Sequence, residues 1–164
     1  MDPAGKTWRL YDLLAEAPVF LEFGAYTCGP TNRQAAGVQG IVDLYNLDLR
    51  TSLVIGYETH AMGPGCENGE CFSDFSYRDD GSPVRQPETY EQRRELAEEF
   101  RDKYDATYPI LVDEMDNRVK CDMALDTNTG YLIGVDGRVA VVHDWLDYQA
   151  MNTSIDAYLT QLWK

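Results

Sequence analysis

Three short apolar runs alternate with amphipathic segments along the first two thirds of the chain, and this alternation restricts the possible folds severely. The runs are VFLEF at 19–23, TSLVIGYET at 51–59 and YPILVD at 108–113. Between them, apolar residues recur at helical spacing from Thr31 to about Leu47, and again in the charged stretch that Pro87 opens. Strands that are separated by helices pair in parallel, because the chain must cross over the sheet before each new strand begins. The alternation therefore predicts a parallel sheet covered by helices.

The last part of the chain predicts antiparallel strands and a closing helix. Two β-rich runs, 131–135 and 138–143, flank an Asp-Gly pair, which is a strong signal for a hairpin turn. Residues 151–163 carry apolar residues at helical spacing, with Asn152 or Thr153 as the predicted N-cap. Two shorter helices are predicted at 7–16 and at about 117–125. The predicted class is α/β, with a central mixed sheet, helices on both faces and a C-terminal β-hairpin plus helix. This order fits the thioredoxin-like fold as well as other small α/β sheets, and the position of Cys28 after the first strand favours the thioredoxin-like fold.

The whole chain, residues 1–164, is predicted to form one domain. A chain of this length buries most of an apolar core without disulfides or metals, and this one contains no internal repeat, low-complexity tract or linker. Residues 61–86 show no periodic apolar face, so they are predicted to form a long loop insertion. A loop of this length inside a compact domain is usually functional or mobile.

The chain is strongly acidic, with 28 Asp and Glu residues against 14 Lys and Arg residues and a formal net charge of −14. This charge argues against nucleic acid or an anionic membrane surface as a partner. The first residues lack the basic and apolar regions of a secretory signal, and no window approaches the ~18 apolar residues of a membrane span. A soluble, cytoplasmic protein is therefore expected.

Cys28 is the first candidate for a reactive group. It follows the strand-like run VFLEF and precedes a Gly-Pro pair at the start of a predicted helix. The unpaired N–H groups and the positive dipole end of a helix start stabilise a thiolate, and such positions lower a cysteine pKa from about 8.5 into the range ~3.5–7.5. We therefore predict a surface nucleophile with a lowered pKa, rather than a buried and inert thiol.

His60 and Glu58 are predicted to act beside this thiol. Reacting groups gather beyond the carboxyl ends of parallel strands, where both Cys28 and His60 would lie. If the second strand continues through this segment, Glu58 and His60 point to the same face, and the carboxylate orients the imidazole as a proton donor. The alternative is an ordinary surface histidine. Thr27 and Thr31 flank the thiol and are predicted to stabilise the thiolate or, for Thr31, to cap the helix.

The other cysteines do not complete a dithiol motif. A Cys-x-x-Cys pair would need a second cysteine where Thr31 stands. Cys66 and Cys71, in the predicted loop, are the candidates for a resolving thiol; they would otherwise form a local disulfide, stay free or belong to an incomplete zinc ligand set. Cys121 is predicted to pack in a short helix. No metal or cofactor is predicted, and an external thiol such as glutathione or a thioredoxin is the other route for regeneration.

Several segments resemble the iodothyronine deiodinase family, particularly its soluble bacterial members. They are FGAYTCGPTNRQ, GYETHAMGPG, PETYEQRRELA, YPILVDEMDN and YLIGVDGRV, and the resemblance as a whole covers about residues 18 to 163. The resemblance implies a thioredoxin-like fold and a bacterial or archaeal source. It also implies that Cys28 is the catalytic residue, in the place of the family's selenocysteine or cysteine, and that Glu58 and His60 serve substrate binding and proton transfer. Members of the family often dimerise, so the resemblance also implies a homodimer.

The chain departs from that family after the nucleophile, where Gly29-Pro30-Thr31 replaces the usual Pro-Pro-Phe. The family's histidine before the second long helix is replaced near Pro87, and its substrate-holding arginine corresponds to Thr129 or Gly130. These departures argue against a thyroid-hormone substrate but leave thiol chemistry open. The Cys-Gly-x-Thr segment also resembles glutathione peroxidases, which makes a glutathione-peroxidase-like or peroxiredoxin-like peroxide reductase an alternative.

Two hypotheses of different classes follow. In the first, the protein is a deiodinase-like thiol oxidoreductase in which Cys28 attacks a halogen, peroxide or disulfide sulfur and a second thiol releases the adduct. Its partners would be a small-molecule or disulfide substrate and a glutathione-type or thioredoxin-type reductant, with no nucleic acid and no membrane. In the second, the protein is a catalytically inert binding module that retains the fold and uses the 61–86 loop to meet a partner.

Overall fold

A computed structural model describes residues 2–63, 73–123 and 127–162. Its five strands are β1 (Val19–Gly24), β2 (Arg50–Ile55), β3 (Ile110–Val112), β4 (Gly130–Ile133) and β5 (Val139–His143). Its five helices are α1 (Leu10–Leu14), α2 (Gly29–Tyr45), α3 (Tyr90–Lys103), α4 (Arg118–Met123) and α5 (Tyr148–Leu162). The order of these elements is the one that the apolar pattern predicts.

The strands form one open mixed sheet in the order β3-β2-β1-β4-β5. β1, β2 and β3 are parallel, whereas β4 runs antiparallel to β1 and β5 runs antiparallel to β4. The β4–β5 turn contains Gly137 with a φ of 77°, a conformation that favours glycine, so the predicted hairpin signal is confirmed. β1 is the central strand, and its residue Glu22 lies between Leu53 of β2 and Gly130 of β4.

The two faces of the sheet are covered unequally. The larger core packs α2, α3 and α5 against one face, with Phe20 of β1 and Phe100 of α3 among its fully buried side chains. The smaller core packs Leu13 and Leu14 of α1 against Leu21 on the other face. Because side chains alternate along a strand, Glu22 shares its face with Phe20 and therefore points into the larger core. A carboxyl group thus lies among residues that are otherwise apolar.

Three predicted boundaries are wrong. The first helix covers only Leu10–Leu14 of the predicted 7–16. The second strand ends at Ile55, where its pairing with β3 also ends, rather than at residue 59. The last helix begins at Tyr148, because the Asp147 carboxylate accepts a hydrogen bond from the backbone N–H of Ala150 at 2.8 Å and caps the helix. Asn152 and Thr153, the predicted caps, lie inside that helix.

The described parts of the predicted loop pack on the edge of the sheet where β1 and β2 end. The backbone N–H of Met62 donates to the carbonyl of Val84 at 2.7 Å, and the N–H of Val84 donates to the carbonyl of Ser76 at 2.8 Å. These bonds hold residues 73–86 beside residues 60–63. This side of the molecule therefore carries the carboxyl end of β1, the start of α2 and both ends of the loop.

Candidate functional site

The turn between β1 and α2 is held by the buried carboxylate of Glu58. One oxygen accepts the backbone N–H of Tyr26 at 3.0 Å, and the other accepts both the backbone N–H and the hydroxyl of Thr27 at 2.8 Å. Burial raises the pKa of Glu58, and these hydrogen bonds from Thr27 and Tyr26 act against that rise. The carboxylate thus fixes the two residues that precede Cys28.

The same turn is held from the opposite side by Asn32 in the first part of α2. Its amide nitrogen donates to the carbonyls of Tyr26 and Cys28, both at 2.7 Å. Its amide oxygen accepts the hydroxyl of Tyr104 at 2.6 Å, which ties the end of α3 to the turn. Because the side chain of Asn32 is buried, these bonds form out of contact with water and give the turn one conformation.

Two serines attach the segment that begins at residue 73 to this turn and to the turn after β2. The hydroxyl of Ser73 donates to the carbonyl of Thr27 at 2.6 Å, and that of Ser76 donates to the carbonyl of His60 at 2.8 Å. Together with the bond from Cys28 N–H to the carbonyl of Ala25, these contacts give a hydrogen-bond partner to each backbone polar group of residues 26–28. The position of Cys28 is therefore set by the surrounding chain.

The structure places Cys28 directly before α2, as predicted, but buries its side chain, of which only 3% is exposed. The prediction of a surface thiol with a lowered pKa is therefore wrong. Burial raises the pKa of the thiol, the hydroxyl and N–H of Thr31 act to lower it, and the charges of Glu22 and Glu58 raise it further. Desolvation outweighs the stabilisation available at the helix start.

Thr27 and Thr31 flank Cys28 but do different things. The hydroxyl and N–H of Thr31 act to lower the pKa of Cys28, while the hydroxyl donates its hydrogen bond to the side-chain oxygen of Asn128 at 3.4 Å. The predicted capping role of Thr31 is not observed, because Cys28 itself occupies the N-cap. The hydroxyl of Thr27 instead donates to Glu58 and accepts the backbone N–H of His60 at 3.1 Å. Thr27 therefore links the turn that carries the thiol to the turn after β2.

The predicted pairing of Glu58 with His60 on one strand face is wrong. Because β2 ends at Ile55, both residues lie in the following turn, and the Glu58 carboxylate points to Tyr26 and Thr27. His60 is half-buried, and its backbone N–H donates a hydrogen bond to the hydroxyl of Thr27. The structure thus brings His60 near the nucleophile turn, and its role as a proton donor stays a prediction.

Glu22 is a candidate site residue that the sequence reasoning missed. Its side chain is 1% exposed, and burial raises its pKa to about 8. Within the described part of the chain, its Oε1 has no hydrogen-bond partner, and its charge is one of those that raise the pKa of Cys28. The available signal was the single charged residue inside the apolar run VFLEF, six positions before the cysteine.

The remaining predicted thiols divide into two groups. Cys66 and Cys71, predicted as resolving thiols, lie outside the described residues. Cys121 is exposed on α4, so the prediction that it packs is wrong. Over residues 2–63, 73–123 and 127–162, no group of three His, Cys, Asp or Glu residues is arranged to hold a metal ion. No helix in these ranges is both long and apolar enough to cross a membrane.

Comparison with solved structures shows which fold carries this site. A secreted Mycobacterium tuberculosis disulfide oxidoreductase homologous to E. coli DsbE superposes with a TM-score of 0.65 at 11% identity, covering 96% of this chain and 92% of that chain. The exposed lipoprotein thioredoxin of Streptococcus pneumoniae superposes with a TM-score of 0.61 at 18% identity, covering 96% of both chains. A thioredoxin-like protein from Aeropyrum pernix gives 0.62 at 13% identity, over 95% of this chain and 86% of that chain.

These similarities show that the fold is thioredoxin-like, which confirms the predicted fold class. No protein-family model and no curated protein sequence matches the chain. At identities this low, the similarity establishes the fold, while the chemistry must be argued from the side chains of this chain.

Proposed function

We propose that this protein is a thiol oxidoreductase that uses Cys28 as its nucleophile in exchange with a disulfide substrate. The Cys28 thiolate attacks one sulfur of the substrate, a Cys28–substrate disulfide forms, and the other half leaves as a thiolate. A second, external thiolate then attacks the substrate sulfur of this mixed disulfide. Cys28 is released as a thiolate, and the substrate fragment leaves joined to the reductant.

The observation that carries this proposal is the position of Cys28 at the N-cap of α2, in a turn whose backbone polar groups are all hydrogen-bonded. The unpaired N–H groups at a helix start stabilise negative charge on a sulfur placed there, and the hydroxyl and N–H of Thr31 act in the same direction by lowering the pKa of Cys28. The turn before it is fixed by Glu58 and Asn32, so the sulfur needs little reorganisation when it ionises. A cysteine that served packing alone would not require this arrangement.

Glu22 is proposed to influence the ionisation of the buried thiol through its own charge. Burial raises the pKa of Glu22 to about 8, so the carboxyl keeps its proton at neutral pH. The charged form of Glu22 raises the pKa of Cys28, so the thiolate forms more easily while Glu22 is neutral.

The reductant is proposed to be an external thiol of the glutathione or thioredoxin type. Thr31 stands where a dithiol enzyme would carry its second cysteine, so Cys28 has no partner at that spacing. Three of the solved structures with the same fold are described as a disulfide oxidoreductase, a thioredoxin and a putative thiol:disulfide interchange protein DsbE. These descriptions support disulfides as the first substrate class to examine.

The finer proposal, a deiodinase-like reaction, rests on the sequence resemblance around Cys28, Glu58 and His60. In that reaction the Cys28 sulfur would take the halogen of an aryl halide, the ring carbon would receive a proton, and two external thiols would release halide and become a disulfide. The raised pKa of the thiol favours substrates that bind before ionisation, and it argues against rapid attack on free peroxide. Disulfide exchange is therefore placed ahead of peroxide reduction.

The test is a turnover screen in which thiol consumption is followed with disulfides, peroxides and halogenated aromatics in turn. We expect turnover with disulfides that is lost in Cys28→Ser. Cys121→Ser is the matched control, because Cys121 is a thiol on the exposed face of α4 and should be dispensable. Activity that survives Cys28→Ser would contradict the role of Cys28 as nucleophile, and a wild-type protein inactive with all three classes would favour the inert binding module.

A further inference from the structure

The strand β5 lies at one edge of the sheet and is open on its outer side. It pairs with β4, and no other strand within the described residues pairs with it. The backbone N–H and C=O groups that point outward along such an edge can pair with a further strand. Many edge strands are protected by charged side chains, proline or bulges. β5 contains no Lys, Arg, Asp, Glu or Pro, and its one irregularity is the register shift opposite Leu132 and Ile133.

The side chains along this edge form an exposed apolar strip. Val139 and Val142 are 53% and 43% exposed, and Trp145, two positions after the strand, is exposed as well. Both valines lie opposite residues of β4 that belong to the smaller core, namely Tyr131 and Ile133. Cross-strand neighbours share one face of a sheet, so the apolar face of the smaller core continues to the outer edge of the molecule.

Two opposite charges flank this strand. Arg138 directly precedes β5 and Asp144 directly follows it, and both side chains are exposed. If two copies of β5 pair antiparallel about Val141, Arg138 of each copy lies opposite Asp144 of the other, and no other centre brings these two charges together. Arg138 also lies 3.8 Å from the carboxylate of Asp136, but both groups are exposed, so this ion pair is weak and is readily exchanged.

The same centre also matches the apolar side chains. Ala140 of one copy lies opposite Val142 of the other, so a small side chain faces a larger one, and the two-fold axis repeats this contact. The two Val141 side chains meet on the other face of the sheet. Each copy carries a formal net charge of −14 and repels the other, so a contact between copies needs apolar residues and opposite charges at the point where they meet.

We propose that β5 is the surface through which two copies of this chain associate, with one sheet running through both copies. The inference does not depend on the proposed role of Cys28, so either proposal can fail while the other stands. A pair of short strands buries less area than a standard protein interface, so the dimer is reversible and forms as the protein concentration rises. Arg138 and Asp144 set the register and exclude other pairings.

The test is sedimentation equilibrium from about 1 μM to about 1 mM protein, with the wild type and two charge reversals. We expect the average mass of the wild type to rise toward that of a dimer. Arg138→Asp places carboxylates opposite each other and Asp144→Arg places guanidinium groups opposite each other, so each should raise the dissociation constant by about tenfold or more. General repulsion alone predicts the opposite result for Asp144→Arg, because that change reduces the net negative charge.

Mixing the two variants is the sharpest part of the test. An equimolar mixture of Arg138→Asp and Asp144→Arg should form a heterodimer, because both cross-strand pairs are then of opposite charge, and the double variant should form a homodimer again. The matched control is Arg118→Asp on α4, which follows the opposite edge strand β3 and should dimerise as the wild type does. Far-UV circular dichroism checks that each variant is folded.

Three results would overturn the proposal. The first is a wild type that stays monomeric over the whole concentration range. The second is a dimer that is unchanged in both single variants or strengthened in Asp144→Arg. The third is a mixture of the folded single variants that contains no more dimer than either variant alone.

Discussion

At the scale of single residues, the chemistry of the site follows from burial as much as from the identity of the groups. Cys28 stands at a helix start, yet its pKa is raised because desolvation exceeds the stabilisation by Thr31. Glu22 is the one charged residue of β1, and its burial in the larger core raises its pKa to about 8. The stability of the protein and the ionisation of its thiol are therefore both linked to the protonation of Glu22.

This linkage predicts the pH dependence of stability. Between an unfolded pKa near 4.5 and a folded pKa of about 8, the folded chain keeps a proton on Glu22 that the unfolded chain has released. The stabilisation that comes from the raised pKa of Glu22 is thus fully present below the unfolded pKa. As the pH rises from the unfolded pKa to the folded pKa, the free energy of unfolding falls by roughly 1.4 kcal/mol per pH unit. Glu22→Gln removes the titration, so its stability should fall less with pH than that of the wild type.

Urea unfolding at several pH values between 5 and 8 measures both slopes. Glu95→Gln, which changes an exposed carboxyl on α3, is the matched control and should keep the wild-type slope. If Glu22→Gln and the wild type lost stability in parallel, the carboxyl would not be titrating in this window. The linkage to the thiol would then need another explanation.

At the scale of elements, the positions of strands and helices were predictable, because each element has an apolar run or an apolar face. The contacts that hold the turn before Cys28 were not predictable. VFLEF and the stretch that follows Pro30 indicate β1 and α2 directly, and the joint between them places Cys28. Nothing periodic indicates that β2 stops at Ile55 or that Glu58 then turns back to the backbone of Thr27. Contacts between a side chain and a distant turn depend on the packed structure, which a local pattern does not encode.

The link between α3 and the nucleophile turn is one such contact, and it makes a prediction. Tyr104 at the end of α3 donates to the buried amide of Asn32, which in turn holds the carbonyls of Tyr26 and Cys28. Tyr104→Phe keeps the ring but leaves the Asn32 oxygen without this donor. We expect a loss of about 1–3 kcal/mol in the free energy of unfolding, the usual cost of an unsatisfied buried acceptor.

The control for Tyr104→Phe is a variant that removes a tyrosine hydroxyl at the surface. Tyr11 is 83% exposed on α1, so Tyr11→Phe should change the urea midpoint by little. Equal midpoints for the Tyr104 and Tyr11 variants would mean that the hydroxyl of Tyr104 does not support the turn. A larger loss for Tyr104→Phe, with no change in the slope of the urea transition, is the expected result.

At the scale of the whole molecule, the acidic charge of the chain does little to stabilise the fold. The formal net charge is −14, and the ion pairs of the described residues are all at least partly exposed, which makes each of them weak. Most of the acidic excess therefore repels itself across the surface, and that repulsion opposes the compact state more than the expanded one. The predicted homodimer would bring two such surfaces together, so it requires an apolar contact or screening by salt.

Salt should consequently stabilise the folded chain. Raising sodium chloride from about 0.01 M to about 1 M shortens the Debye length from about 30 Å to about 3 Å, which screens repulsion between surface carboxylates. We expect Tm to rise over this range, most steeply at its low end, where screening changes repulsion between distant charges. Sucrose at matched osmolality stabilises by exclusion from the surface and not by screening, so its curve should lack the steep initial rise. A Tm that falls as salt is first added would show that attractive ion pairs, such as Arg78 with Glu99, outweigh the repulsion.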